Sequence, residues 1–232
     1  MRVRFLQSSS GARALPAFTL IELLVTIAVI SLLIGILAPS LGVVRDAGRS
    51  ARCSSNLRQW ANAVNIYASE NKGFLPRRGQ GIKPTTNLAR PTDWFNALPS
   101  FLGDQSYRDR AARNRIARPG DRGVWMCPSA TEVDVTNYFA YGMSMQLSTW
   151  ELPQPDRIDT VSPVSSQVFL TDGPGTHGSL IPSDQLYSPA PRHRRFLNIA
   201  FLDTHVSAFS GTSIGCGIGD PLRSDVIWSV HR

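Results

Sequence analysis

Cysteine, lysine and charge are all scarce in this chain. Three cysteines in 232 residues cannot build a disulfide-dense scaffold, and none sits in a C-x-x-C pair, which excludes a zinc ribbon and a thioredoxin-like motif. Of 24 basic residues only Lys72 and Lys83 are lysine, and no run of cations exceeds two residues, so the formal net charge of +7 is not gathered into a block. Charged residues make up only 18% against 42% hydrophobic, which permits a packed core and excludes wholesale disorder. There is no His-Glu-x-x-His and no Gly-x-x-x-x-Gly-Lys phosphate-binding loop. With 18 Gly and 16 Pro spread along the chain, a mostly helical body is disfavoured as well.

What is present is concentrated near the N-terminus. Residues 1–17 are polar and basic, with Arg2, Arg4 and Arg13 and no acid. From Leu23 to Val44 there are 22 residues without a charge. At about 1.5 Å per residue a helix of that length spans roughly 33 Å, enough to cross a bilayer core. A secretory signal peptide has a shorter apolar region that ends in a small-x-small cleavage site. At the front of the run stands Glu22, a lone carboxylate whose burial at the edge of a membrane helix costs about 2–3 kcal/mol and therefore invites a partner.

The string Ala17-Phe18-Thr19-Leu20-Ile21-Glu22-Leu23-Leu24 resembles the processing site of type IV prepilins and of the pseudopilins of type II secretion systems. The resemblance implies that a basic leader, residues 1–17, is cut off before Phe18 by a prepilin peptidase and that the new amine is methylated. Glu22 would then neutralise the N-terminal amine of a neighbouring subunit. Pro39 falls where the family commonly has a helix-kinking proline, flanked here by Gly35 and Gly42. The residue before the cut is Ala17, where the family usually has glycine. Loss of the leader removes three arginines and leaves 21 cations against 17 acids. Charge bias alone leaves orientation open, since Arg45, Arg49, Arg52 and Arg58 follow the span with Asp46. The resemblance implies a single-pass protein of the inner membrane, with its N-terminus in the cytoplasm and its body outside.

Beyond Val44 the pattern becomes amphipathic. Leu57, Trp60, Ala61, Val64, Tyr67 and Ala68 recur at helical spacing, while Arg58, Gln59, Asn62 and Asn65 fall mostly on other faces. Asn71-Lys72-Gly73, with Pro76 beyond, is a stop signal. The expected organisation is a leader (1–17), a transmembrane and assembly helix (18–44), its amphipathic continuation (45–73) and a globular head (74–232). Residues 77–92 read as an exposed loop. Trp94, Phe95, Leu98, Phe101 and Leu102 read as one or two helical turns against the core.

Strand candidates are Val124–Met126, Tyr138–Met143, Gln167–Thr171, Phe196–Leu202 and His205–Phe209. The last two are joined by Asp203-Thr204 as a two-residue hairpin connection. The fold class expected is α+β, a long N-terminal helix packed on a small antiparallel sheet.

Further strings resemble a group of pilin-like proteins abundant in planctomycetes: Cys53-Ser54-Ser55-Asn56-Leu57-Arg58-Gln59, Cys127-Pro128-Ser129, Tyr141-Gly142-Met143, and His193 followed by Asp203 after nine intervening residues. The last resembles a C-terminal His-x9-Asp-Gly element in which Thr204 replaces the glycine.

The cysteines leave three arrangements open: a Cys53–Cys127 bridge, which their placement on the helix and at a strand end favours, three free thiols, or a pairing with Cys216 in the stretch Gly211–Gly219. His193, Asp203 and His205, with Asp172 or His177, are candidate metal ligands or a hydrolytic base, against a turn role for Asp203. Asp172-Gly173-Pro174-Gly175 reads as a turn. No dense Asp/Asn string marks a calcium site. Arg108, Arg110, Arg113, Arg115, Arg118 and Arg122 read as a solvated segment, with a phosphate-binding patch as the alternative.

The expectation is a non-enzymatic filament subunit of the pilin and pseudopilin class without a cofactor or metal. Its partners would be other subunits, the prepilin peptidase and methyltransferase, and the membrane. A nucleic-acid-binding minor pilin or a membrane-anchored metal-binding or hydrolytic protein are the alternatives.

Overall fold

The computed structural model describes residues 18–79, 90–133, 135–136, 138–217, 223 and 225–230. Leader residues 1–17, Ala17 among them, lie outside that range, as do most of the loop expected at 77–92 and the end of the glycine-rich stretch. The chain divides into two compact units, one up to Val43 and the other from Val44 onward.

The first unit is the leading part of helix α1 (Leu20–Glu70). Thr19 caps it, because its Oγ1 accepts from the Glu22 amide at 3.2 Å while Glu22 Oε2 accepts from Thr19 N at 2.9 Å and Thr19 Oγ1 at 2.8 Å. This reciprocal capping box satisfies amides that the first turn leaves unpaired. The hydroxyls of Thr26 and Ser40 donate to the carbonyls of Leu23 and Leu37, so they are satisfied within the helix. The large apolar side chains from Leu20 to Val44 are exposed.

In the second unit α1 becomes one-sided. Cys53, Leu57, Trp60, Ala61, Val64 and Ala68 are buried, and Tyr67 is half-buried against the same core. Asn65, expected on an outer face, is half-buried and donates to Leu202 O at 2.9 Å. The helix ends in a Schellman arrangement: Lys72 is left-handed at φ 56°, and Gly73 N donates to Ala68 O at 2.8 Å. Helix α2 (Trp94–Ala97) and a 3-10 turn (Pro99–Leu102) follow, with Trp94, Phe95 and Leu98 buried. Helix α3 (Tyr107–Ala112) is capped by Ser106, whose hydroxyl accepts from Asp109 N.

The head is α+β. Its five strands are β1 (Phe139–Ser144), β2 (Val168–Gly175), β3 (Ser179–Leu180), β4 (Phe196–Phe201) and β5 (Val206–Ser210). They pair in the order β3-β1-β2-β4-β5. Three pairings are antiparallel and β3 runs parallel to β1, so the sheet is mixed and not purely antiparallel. Two residues are too short to show alternation, which is why β3 leaves no sequence signal. Gly142 admits that strand, because a Cβ there would stand 2.5 Å from Leu180 Cγ.

Asp172-Gly173-Pro174-Gly175 belongs to β2 and not to a turn. The register slips opposite it between Phe139 and Tyr141, and an irregularity of that kind tolerates proline. Val124–Met126 is not a strand. Its carbonyls are taken by the helix instead, with Trp60 Nε1 donating to Val124 O at 3.0 Å and Asn56 Nδ2 to Met126 O at 2.9 Å.

Both sheet faces are covered. On one, Tyr141, Met143, Leu170 and Ala200 join the core that includes the α1 stripe. On the other, Val168, Leu197, Ile199 and Phe201 pack with Ile214, Val226 and Trp228. That double burial explains why β4 reads as nearly continuous apolar sequence.

The β4–β5 connection corrects the two-residue type I′ expectation. Ala200 pairs with Val206, Phe201 N donates to His205 O, and Thr204 N donates to Phe201 O, which makes a three-residue loop of Leu202, Asp203 and Thr204. Such loops join a type I turn to one left-handed residue, and Thr204 holds that position at φ 75°. A β-branched residue is strained there by roughly 1–2 kcal/mol, partly offset for glycine by its greater unfolded-state entropy. Thr204→Gly should therefore raise the chain's stability by about 0.5–1 kcal/mol in chemical denaturation. A loss of stability would mean that the threonine side chain makes a contact worth more than the strain.

Candidate functional site

Three groups of residues carry chemistry beyond packing. The first is the head of α1. Phe18 is 72% exposed, and the Glu22 carboxylate is held at the helix start by Thr19. The capping-box pattern is legible in Thr19 and Glu22, three apart in front of an apolar run. Position 39 lies within α1, which continues through it. Among the described residues this is the helix long and apolar enough to span a membrane.

The second group is a buried polar cluster where the middle of α1 meets the sheet. Cys53 of α1 and Cys127 form a disulfide with Cα atoms 5.0 Å apart, both fully buried. Of the three arrangements left open by the sequence, the structure holds this one. Cys216 is a free, half-buried thiol, and burial pushes it up to about 11. Against Cys127 Sγ lies His193 Nε2 at 3.5 Å, and the same nitrogen is 3.4 Å from Asp172 Oδ2. Asp172, on β2, is fully buried, and its Oδ2 accepts from Asn198 N at 2.8 Å and Asn198 Nδ2 at 3.2 Å. Above the cluster opens a cleft of about 400 Å³ bordered by Arg49, Pro128, Arg192, His193 and Arg194. Asp46 pairs with Arg194 at 3.1 Å and stands 3.9 Å from Arg49.

The expected grouping of His193 with Asp203 and His205 is therefore split. Asp203 pairs with His205 Nδ1 at 2.5 Å in the hairpin loop and accepts from the His205 amide, while the His205 ring stacks on Phe201. His177 stands apart from both pairs, its ring packed at a tilt against Tyr187 and bonded to Thr176 Oγ1. Asp172, expected in that set as the alternative to His177, is the member that stands beside His193, and strand pairing rather than a turn brings it there.

The third group is the arginines. Arg77 is buried and donates to the carbonyls of Thr149, Leu152 and Pro153. Arg110 binds both carboxylate oxygens of Asp104, and Arg118 donates to Val135 O and Thr136 O. These three cations serve the head's own structure. Lys83, in the loop expected at 77–92, lies outside the described residues.

Near Arg77, Asp93 is fully buried, and burial pushes its carboxyl up to about 7 although Arg90, Arg77 and Arg78 pull it down. A carboxyl that titrates higher in the folded than in the unfolded chain binds more protons when folded. Stability is then lost as pH rises from about 4 to about 7, by on the order of a few kcal/mol. Asp93→Asn should remove that slope, so the variant gains on the wild type with rising pH in urea titrations. Equal slopes for the two chains would show that burial leaves the carboxyl where it titrates in the unfolded chain.

No protein-family model, no curated protein and no solved structure matches this chain.

Proposed function

We propose that the chain is a non-enzymatic, membrane-inserted subunit of a filament of the type IV pilin and type II secretion pseudopilin class. The observation that carries this reading is the leading half of α1. Its large apolar side chains between Leu20 and Val44 are exposed, with a single carboxylate, Glu22, at its head. Apolar surface of that extent in one chain calls for lipid or for copies of the same helix. A filament subunit uses both in turn, stored in the inner membrane and then bundled with its neighbours. The string Ala17-Phe18-Thr19-Leu20-Ile21-Glu22 adds the processing site, with the leader cut before Phe18 and the new amine methylated. On this reading the head lies outside the cytoplasmic membrane, in a compartment that permits the Cys53–Cys127 disulfide.

The capping box gives Glu22 two tasks. In the single chain its carboxylate closes on Thr19. In a filament it would also take a neighbour's Phe18 amine, and such a charge contact is worth most where water is excluded.

Intact-mass measurement of the membrane-extracted protein should show loss of residues 1–17 and one methyl group on Phe18. A mature N-terminus at Met1 beside an active prepilin peptidase would overturn the reading. Glu22→Gln retains a capping residue but not the charge. It should insert into membranes normally and enter filaments at least roughly tenfold less well than the wild type, the equivalent of about 1.4 kcal/mol. Equal incorporation, measured by co-expression with tagged wild type, would remove the charge contact from the mechanism.

A further inference from the structure

The atoms around the Cys53–Cys127 bridge are arranged about a common centre. Both cysteine Sγ atoms, His193 Nε2 and a carboxylate oxygen of Asp172 lie within 4.8 Å of one another, and all four residues are buried. Zinc binds thiolate, imidazole and carboxylate at about 2.0–2.3 Å, so neighbouring ligand atoms of a tetrahedral ion stand roughly 3.3–3.8 Å apart. The 3.5 Å from His193 Nε2 to Cys127 Sγ and the 3.4 Å from His193 Nε2 to Asp172 Oδ2 already have that spacing. One ring nitrogen faces both the sulfur and the carboxylate. A Cys-His-Asp catalytic relay places those two partners on opposite ring nitrogens; ligands of a shared ion do not.

Asp172 supplies a second, independent observation. While its Oδ2 is bonded to Asn198, its buried Oδ1 has no hydrogen-bond partner. An orphaned oxygen on a fully buried carboxylate is costly, and a cation relieves that cost. Asn198, on β4, holds the carboxylate by backbone and side chain, the kind of outer support that orients a metal ligand.

We propose that in its dithiol form this cluster is a zinc site, and that metal and disulfide are alternative occupants of the same place. Two thiolates and one carboxylate against a divalent ion leave one negative charge. The disulfide with the same carboxylate also leaves one, so the exchange adds no buried charge. Oxidation by a small-molecule or protein disulfide balances the step. The two thiolates lose two electrons and join, the zinc ion leaves, and the oxidant's S–S bond breaks as it takes those two electrons and two protons from solvent to depart as two thiols. The cleft bordered by Pro128 and His193 provides the route to the ion.

The test uses the full chain in detergent. Reduced anaerobically and dialysed against zinc with a competing chelator, it should retain about one zinc per chain, and the oxidised chain less than a tenth of that. Cobalt in place of zinc should give thiolate charge-transfer bands and the intense visible bands of a tetrahedral ion. His193→Gln and Asp172→Asn should each weaken zinc binding by at least about tenfold. The proposal is overturned if the reduced chain keeps its far-ultraviolet circular dichroism and takes up no zinc, or if both variants bind like the wild type, which would mean chelation by the thiols alone. Should reduction unfold the head, zinc must restore it, and failure to do so overturns the proposal equally.

Discussion

Burial of one face of α1 is the interaction on which the rest of the head depends. Trp60 stands at its centre. Its ring meets Trp94 and Trp125 edge-on at 5.3 and 4.9 Å, and its Nε1 donates to Val124 O. Aromatic side chains of that size dominate a core by area, and a buried indole N–H must find an acceptor. Trp60 therefore holds α2 and the segment before Cys127 against the helix at once. Asn56, one turn earlier, binds Met126 O and Tyr141 Oη, and Cys53, a turn earlier again, closes the disulfide. Three successive turns thus join the helix to the loop by polar, aromatic and covalent means.

The same helix changes character along its length, and this change separates the two units. Up to Val44 the large apolar residues are exposed all round; from Cys53 the apolar positions narrow to one stripe and are buried. A helix apolar on every side needs an apolar solvent, and one with a single apolar stripe needs a partner layer in water. The head supplies that layer. In the proposed filament the leading half would find its own in lipid and then in neighbouring helices, so one continuous element would serve two environments.

Inside the head, polar groups are placed where the layers meet. Asp172 and His193 lie beside the disulfide, Ser144 donates to Trp228 O on the far side of the sheet, and Asn65 ties α1 to the hairpin. Each pairs elements distant in sequence. A buried hydrogen bond that would be orphaned in any other register penalises slippage. The arginines contribute in the same way, since Arg77 and Arg118 each gather carbonyls of irregular segments that have no strand neighbour.

By itself the sequence determined what depends on local pattern: the long helix, its change from wholly apolar to one-sided, its stop at Asn71-Lys72-Gly73, and four of the five strands. These follow from side-chain periods of about 3.6 and 2 and from turn chemistry, which act over a few residues. Only the tertiary structure decided that Cys127 is the partner of Cys53, that His193 belongs with Asp172 and Asp203 with His205, and that β3 joins β1 in parallel. The hairpin shows the boundary between the two. Its position between Phe196 and Phe209 was legible, but its loop has three residues because β4 ends at Phe201, one residue earlier than its apolar pattern suggests, which puts Leu202 in the loop. Registers and buried polar pairs are set by packing between distant segments, and no local pattern encodes which of several compatible partners lies across the sheet.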